Sequence, residues 1–138
     1  MGKVTNNFPK KTYFCLINLY AMKITIVSGA RPNFMKIAPI TRAIKAAQEA
    51  GKKISYRLIY TGRQDDTSLD ASLFSDLDMK RPDGYLGVTG HDHSEVAAAI
   101  MLAFEKELNN HPAQVVLVVD DLTATMSCSI VEIGRAHV

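Results

Sequence analysis

The sequence has no tryptophan and only two cysteines, Cys15 and Cys128, among 138 residues. Two thiols cannot build the disulfide framework of a small secreted domain, so a reducing compartment, the cytoplasm, is expected. No apolar run approaches the roughly 18 residues that a bilayer crossing needs. An excess of one charge is also lacking. Sixteen Lys and Arg face 14 Asp and Glu, a formal net charge of +2. That balance offers no broad basic surface for nucleic acid or a membrane. Neither G-x-G-x-x-G nor G-x-x-x-x-G-K occurs, which excludes the usual dinucleotide and ATP grips. What is present is a hydrophobic fraction of 47%, enough for a core in a chain of single-domain length.

Residues 1–21 differ from the rest. Lys3, Lys10 and Lys11 precede a short apolar patch, Tyr13 to Ile17, which Asn18 interrupts, and no small-x-small cleavage site follows. Met22-Lys23-Ile24-Thr25-Ile26-Val27 then reads as a fresh start running into a strand. The first 21 residues are therefore expected to be an extension outside the fold, from a misplaced start codon or as unstructured chain, rather than a targeting peptide.

From Met22 onward strands and helices alternate. Ile24–Val27 reads as a strand ending at Ser28-Gly29. Pro32 suits a first helical position, and Ile37, Ile40 and Ile44 recur at helical spacing until Gly51 closes the helix near Ala50. Ile54–Tyr60 is a second strand. A short helix is expected near Leu69 to Leu77, stopped by Arg81-Pro82-Asp83-Gly84, and a third strand at Tyr85–Val88. Asp92 with Glu95 resembles a capping box before the stripe Val96, Ile100, Phe104, Leu108. Val115–Val119 is wholly apolar, as expected of a central parallel strand covered on both faces, and another helix begins near Leu122. The alternation predicts an α/β fold with a parallel sheet and right-handed crossovers.

Ligands of such sheets bind beyond the carboxyl ends of the strands, which singles out Ser28 to Lys36, Thr61 to Asp66, and Asp120 to Thr125. In the first loop Gly29 permits a tight turn into a helix N-terminus that attracts anions. Arg31 can grip a phosphate or carboxylate, and Lys36 lies one turn further on. The same residues also fit a plain turn carrying two solvated cations. Asp120-Asp121 admits two readings as well. Mutual repulsion and burial can tune one carboxyl for proton transfer, or Asp121 simply caps the next helix. His91-Asp92-His93 has no further ligand at metal-site spacing and reads as an N-capping loop, so no metal and no cofactor are expected. Met79, Met101 and Met126 read as core filler.

Met22 to Pro39, with Gly29-Ala30-Arg31-Pro32 followed by Lys36-Ile37-Ala38-Pro39, resembles the opening of the non-hydrolysing UDP-N-acetylglucosamine 2-epimerases, whose pattern is G-[TA]-R-P-E-x-I-K-x-A-P. Thr61-Gly62, Arg81-Pro82-Asp83, Leu86-Gly87-Val88 and Val116 to Thr125 follow in the family's order, and the resemblance extends to about Val131. It implies an incomplete Rossmann-like parallel sheet, the N-terminal domain of a GT-B-like fold, over residues 22–131. It further implies interconversion of UDP-N-acetylglucosamine and UDP-N-acetylmannosamine by elimination and re-addition of UDP. On this resemblance Asp121 and Lys36 are catalytic. Arg31, Gly29, Pro32 and Gln64 bind a UDP-sugar, the full-length protein is a homodimer, and no nucleic acid or membrane takes part. A UDP-sugar glycosyltransferase of the same architecture and a non-catalytic flavodoxin-like module are the alternatives.

The sequence departs from that pattern at several points. Asn33 replaces the family's usual Glu, Arg63-Gln64 its usual Gln-His, and Asp120 its usual Gly before the acid. The extra carboxylate at Asp120 is expected to raise the pKa of Asp121 or to mark another UDP-sugar. Glu132 to Val138 departs altogether, and it reads back through the genetic code as a common sequencing adapter. Residues 132–138 are therefore expected to be a non-native tail on a truncated chain that lacks epimerase activity by itself. Sequencing the locus tests this: continuous coding sequence beyond Val131 is expected, and a genomic stop codon after Val138 overturns the expectation.

Overall fold

The structure, a computed structural model of the chain, describes residues 21–135. The expectations for the extension up to residue 20, including Cys15, and for residues 136–138 lie outside the described residues. Four strands alternate with four helices: β1 (Met22–Ser28), α1 (Arg31–Glu49), β2 (Ile54–Tyr60), α2 (Ala71–Asp76), β3 (Gly84–Tyr85), α3 (His93–Asn110), β4 (Val115–Val118) and α4 (Thr123–Arg135). All strand pairs are parallel, in the order β3-β2-β1-β4. Ile26 of β1 stands opposite Leu58 of β2 and Leu117 of β4.

Side chains alternate across the sheet, and each set meets its own helices. On one face Ile26, Leu58 and Tyr60 pack with Phe34, Ile37 and Ile44 of α1 and with Leu73 and Phe74 of α2. On the other, Val27 packs with Ile100, Phe104 and Leu108 of α3 and with Ala124 and Cys128 of α4. The buried set of α1 (Asn33, Phe34, Ile37, Ala38, Thr41 and Ile44) follows the three- and four-residue spacing of one helical face. The Cys128 thiol is fully buried, and burial pushes its pKa up to about 12, which makes it a core side chain rather than a reactive one.

Two expectations change. Val115–Val118 is an edge strand among the described residues rather than a central one, with Val115 41% exposed and its neighbours half-buried. An apolar run records burial by helices but not a strand's place in the order. Among the described residues β1 and β2 each have a strand on both sides, and β4 has only β1. The third strand is confined to Gly84–Tyr85 because Gly87, at φ +69°, turns the chain back on the end of β2. There the amides of Leu86, Gly87 and Val88 donate to Tyr60, Gly62 and Thr61. Helix α2 starts at Ala71, after Asp70, whose carboxylate accepts from the Leu73 amide at 3.0 Å. Helix α4 runs unbroken from Thr123 to Arg135.

Phe34 concentrates the α1 packing. It is fully buried, with its ring edge-on to Phe74 at 5.2 Å and tilted against Tyr60 at 5.9 Å. Phe34→Ala is expected to destabilise the fold by about 3–5 kcal/mol in urea unfolding. A loss below about 1 kcal/mol would show that α1 does not anchor the sheet as described.

Candidate functional site

The strand order locates the site before any side chain is considered. From β1 the chain steps outward to β2 and β3, then returns to place β4 on the other side of β1. The turns leaving β1 and β4 therefore diverge to opposite faces and open a crevice at the carboxyl ends of these two strands.

Gly29 sets how closely the two turns approach. A Cβ built there would lie 2.6 Å from the Ala124 Cβ and 3.3 Å from Leu122 Cδ1, so only glycine lets the head of α4 sit against the β1 turn. Ala30 then stands in extended backbone before α1, with Pro32 in the first turn where a missing N–H costs nothing. Asn33, buried to 1% exposure, reaches back from that turn. Its Oδ1 accepts from the Gly29 amide at 2.8 Å and from the Ala30 amide at 3.0 Å.

The Asn33 Nδ2 donates across the crevice to Asp120 Oδ2 at 2.5 Å. The other Asp120 oxygen receives the Lys36 ammonium in a salt bridge. Asp120 itself has φ +68°, a left-handed conformation that aspartate tolerates better than most side chains. The hydrogen bond from Lys36, together with its charge and the Asn33 donor, holds the Asp120 carboxyl below the usual carboxylate range, against a smaller opposing effect of burial. The crevice thus joins Gly29, Asn33, Lys36 and Asp120 in one network.

The remaining candidates are placed differently. Arg31 and Pro32 are exposed at the head of α1. The Arg31 charge contributes, after the bonds from Leu73 and Ser72, to holding Asp70 low. Asp121 is exposed beside Asp120. Among the described residues its carboxylate makes no hydrogen bond to α4, so its capping role is not realised. The neighbouring Asp120 carries its own charge against the Lys36 ammonium. Gln64 lines a separate opening of about 660 Å³ beyond β2 and β3, with Arg63, Asp65, Tyr85 and Gly87. There Arg63 pairs with Asp65 at 2.6 Å, while the buried Tyr60 hydroxyl donates to Asp66 at 2.7 Å. A cavity of about 610 Å³ between α1, β2 and α2 lies toward the opposite end of the sheet, lined by Arg42, Tyr56 and Lys80 among others. His91 and His93 are exposed, and Asp92 between them caps α3 through the Ser94 amide at 3.3 Å.

Asn33 is the residue that sequence reasoning passed over as a site member. Its signal was available: an amide at the third helical position can satisfy the amides before the helix, as the acidic member of a capping box does.

No protein-family profile matches the chain. It is 27% identical over 121 residues to UDP-N-acetylglucosamine 2-epimerase of Methanocaldococcus jannaschii, covering 85% of this chain and 32% of that protein. It is 27% identical over 106 residues to UDP-2,3-diacetamido-2,3-dideoxy-D-glucuronate 2-epimerase of Pseudomonas aeruginosa, covering 77% of this chain and 29% of that one. The crystal structure of the M. jannaschii enzyme in complex with UDP-GlcNAc and UDP matches with a TM-score of 0.70 at 25% identity, over 83% of this chain and 30% of that one. The chain is a homologue of the UDP-N-acetylglucosamine 2-epimerases. It spans about a third of the length of the curated relatives it matches. Its parallel sheet and helices are accordingly part of the GT-B-like fold of these epimerases. No helix among the described residues is long and apolar enough to cross a membrane.

The Asp120 pairing has a pH signature. A carboxyl held low in the folded chain contributes stability above the ordinary aspartate value, near pH 4, and loses it as the pH falls through the lower folded value. Asp120→Asn keeps a residue tolerant of the left-handed backbone and removes the charge. At neutral pH the variant is expected to unfold at a lower temperature than the parent, with the gap narrowing below about pH 4. Thermal unfolding of both proteins from neutral pH into acid checks this; a gap independent of pH would mean that the charge is not what holds the network.

Proposed function

We propose that this chain supplies one wall of the active-site cleft of a cytoplasmic, homodimeric UDP-sugar 2-epimerase that makes precursors of cell-surface polysaccharide. The observation that carries the reading is the position of Lys36 and the head of α1 at the switch point of a sheet homologous to these enzymes. Arg31 and Lys36 bring cations to the place where a diphosphate would lie, with Gly29 and Pro32 shaping the turn beneath it. Gln64 contacts the UDP-sugar from the second opening. Asp121 is the carboxylate that takes part in proton transfer, and its exposure leaves it open to substrate.

The reaction removes the proton on carbon 2 as the bond from carbon 1 to UDP breaks, leaving a glycal and free UDP. A proton returns to the other face of carbon 2, and UDP adds back at carbon 1. Cations beside the departing diphosphate stabilise the charge that develops on it, which is where the α1 residues act. A second substrate, a UDP-linked diacetamido sugar acid, is raised by the similarity to the P. aeruginosa enzyme.

The test is product analysis with UDP-N-acetylglucosamine and with UDP-2,3-diacetamido-2,3-dideoxy-D-glucuronate. The 138-residue chain alone is expected to convert neither. A chain extended by its own downstream coding sequence to the length of the relatives is expected to convert one, and Lys36→Ala in it to lower kcat/KM by about 100-fold. Turnover of neither substrate by the extended protein would overturn the proposal.

A further inference from the structure

Asp120 stands where an incoming anion would meet Lys36, and it is tied there from two sides. The Lys36 ammonium meets one oxygen and Asn33 Nδ2 the other. Asn33 is itself fixed, being buried and carrying the Gly29 and Ala30 amides on its Oδ1. Two of the amides at the head of α1 are thereby committed to the protein, and so is the cation one turn further on. The chain also accepts a left-handed aspartate to put that carboxylate there. Asn33 and Asp120 are 87 residues apart in sequence and are both departures from the resembled pattern, yet they touch each other.

We propose that Asp120 is an internal counter-anion, clamped by Asn33, which occupies Lys36 until an anionic ligand group exchanges with it. Asp120 is then a specificity-determining residue: it sets how strongly an anion must bind to claim Lys36. The neutral amide at position 33 is part of the same device. Two carboxylates in this contact would repel, whereas an amide donates to one and accepts from the turn. This inference rests on the reading of the crevice as a diphosphate site.

Two measurements on the 138-residue chain separate the possibilities, with inorganic pyrophosphate as the probe. The first is the rate of Lys36 acylation by an amine-specific reagent, followed by mass spectrometry with Lys45 and Lys53 as internal references. Only an amine that has left the carboxylate and given its proton to solvent attacks the reagent, so Asp120→Asn is expected to raise the Lys36 rate about threefold, the population change an exposed ion pair of ordinary strength brings. Asp121→Asn removes the same charge next door and is expected to leave that rate unchanged. A general rise at Lys45 and Lys53 would report unfolding, in which case Asn33→Ala, which loosens the clamp and keeps the carboxylate, takes its place with a smaller rise expected at Lys36 alone.

The second measurement is pyrophosphate affinity by calorimetry. Asp120→Asn is expected to bind about tenfold more tightly than the parent, because a negative charge beside the ligand is gone. An unchanged Lys36 rate overturns the counter-anion. Weaker pyrophosphate binding also overturns it, since Asp120 would then be positioning Lys36 for the ligand. Pyrophosphate binding to neither protein overturns the diphosphate reading instead, and the Lys36 rates report on the ion pair independently of that result.

Discussion

The approach of Gly29 to Ala124 is the constraint on which the rest of the crevice depends. A side chain at position 29 would need the space that the Ala124 Cβ already fills, so two turns from strands far apart in sequence meet only because one of them is glycine. That contact brings the β4 turn, with Asp120, against the head of α1, with Asn33 and Lys36. The closeness comes from backbone packing, and the polar network then uses it. Separating the turns by even one methyl group would lengthen every bond across the gap.

The sheet beneath supplies the stiffness this needs. β1 is paired on both sides over most of its length and contributes Ile26 to one core and Val27 to the other. Its carboxyl end is therefore the best-supported point of the sheet, and the site begins there. Asp120, by contrast, follows a strand that is at the edge among the described residues, and it holds a left-handed backbone. A rigid wall that carries Lys36 faces a carboxylate on a less supported turn, and it is the second partner that is suited to yield when an anion arrives.

Much of the architecture was legible before the structure. Helical spacing at Ile37, Ile40 and Ile44, the cap at Asp92 and the β-rich runs at Ile24 and Ile54 placed the main elements to within a few residues, because each depends on neighbours in the chain. Strand order was not legible in the same way. The uniformly apolar Val115 to Val118 resembles a central strand, yet its place at the edge depends on which strand it pairs with. The short third strand failed for a local reason, the left-handed Gly87, which a β-rich run does not reveal.

For the site, sequence alone determined the parts: a glycine turn, two cations after it, and a pair of carboxylates after the last strand. Those parts follow from residue type and from position beyond a strand end. Tertiary structure decided the partners. It selected Asp120 rather than Asp121 for Lys36, recruited Asn33, and left Gln64 at a separate opening. The reason is geometric. Adjacent residues in a turn point in different directions, and which of them faces a cation 84 residues away depends on a backbone angle at Asp120 and on the fit of Gly29 against Ala124.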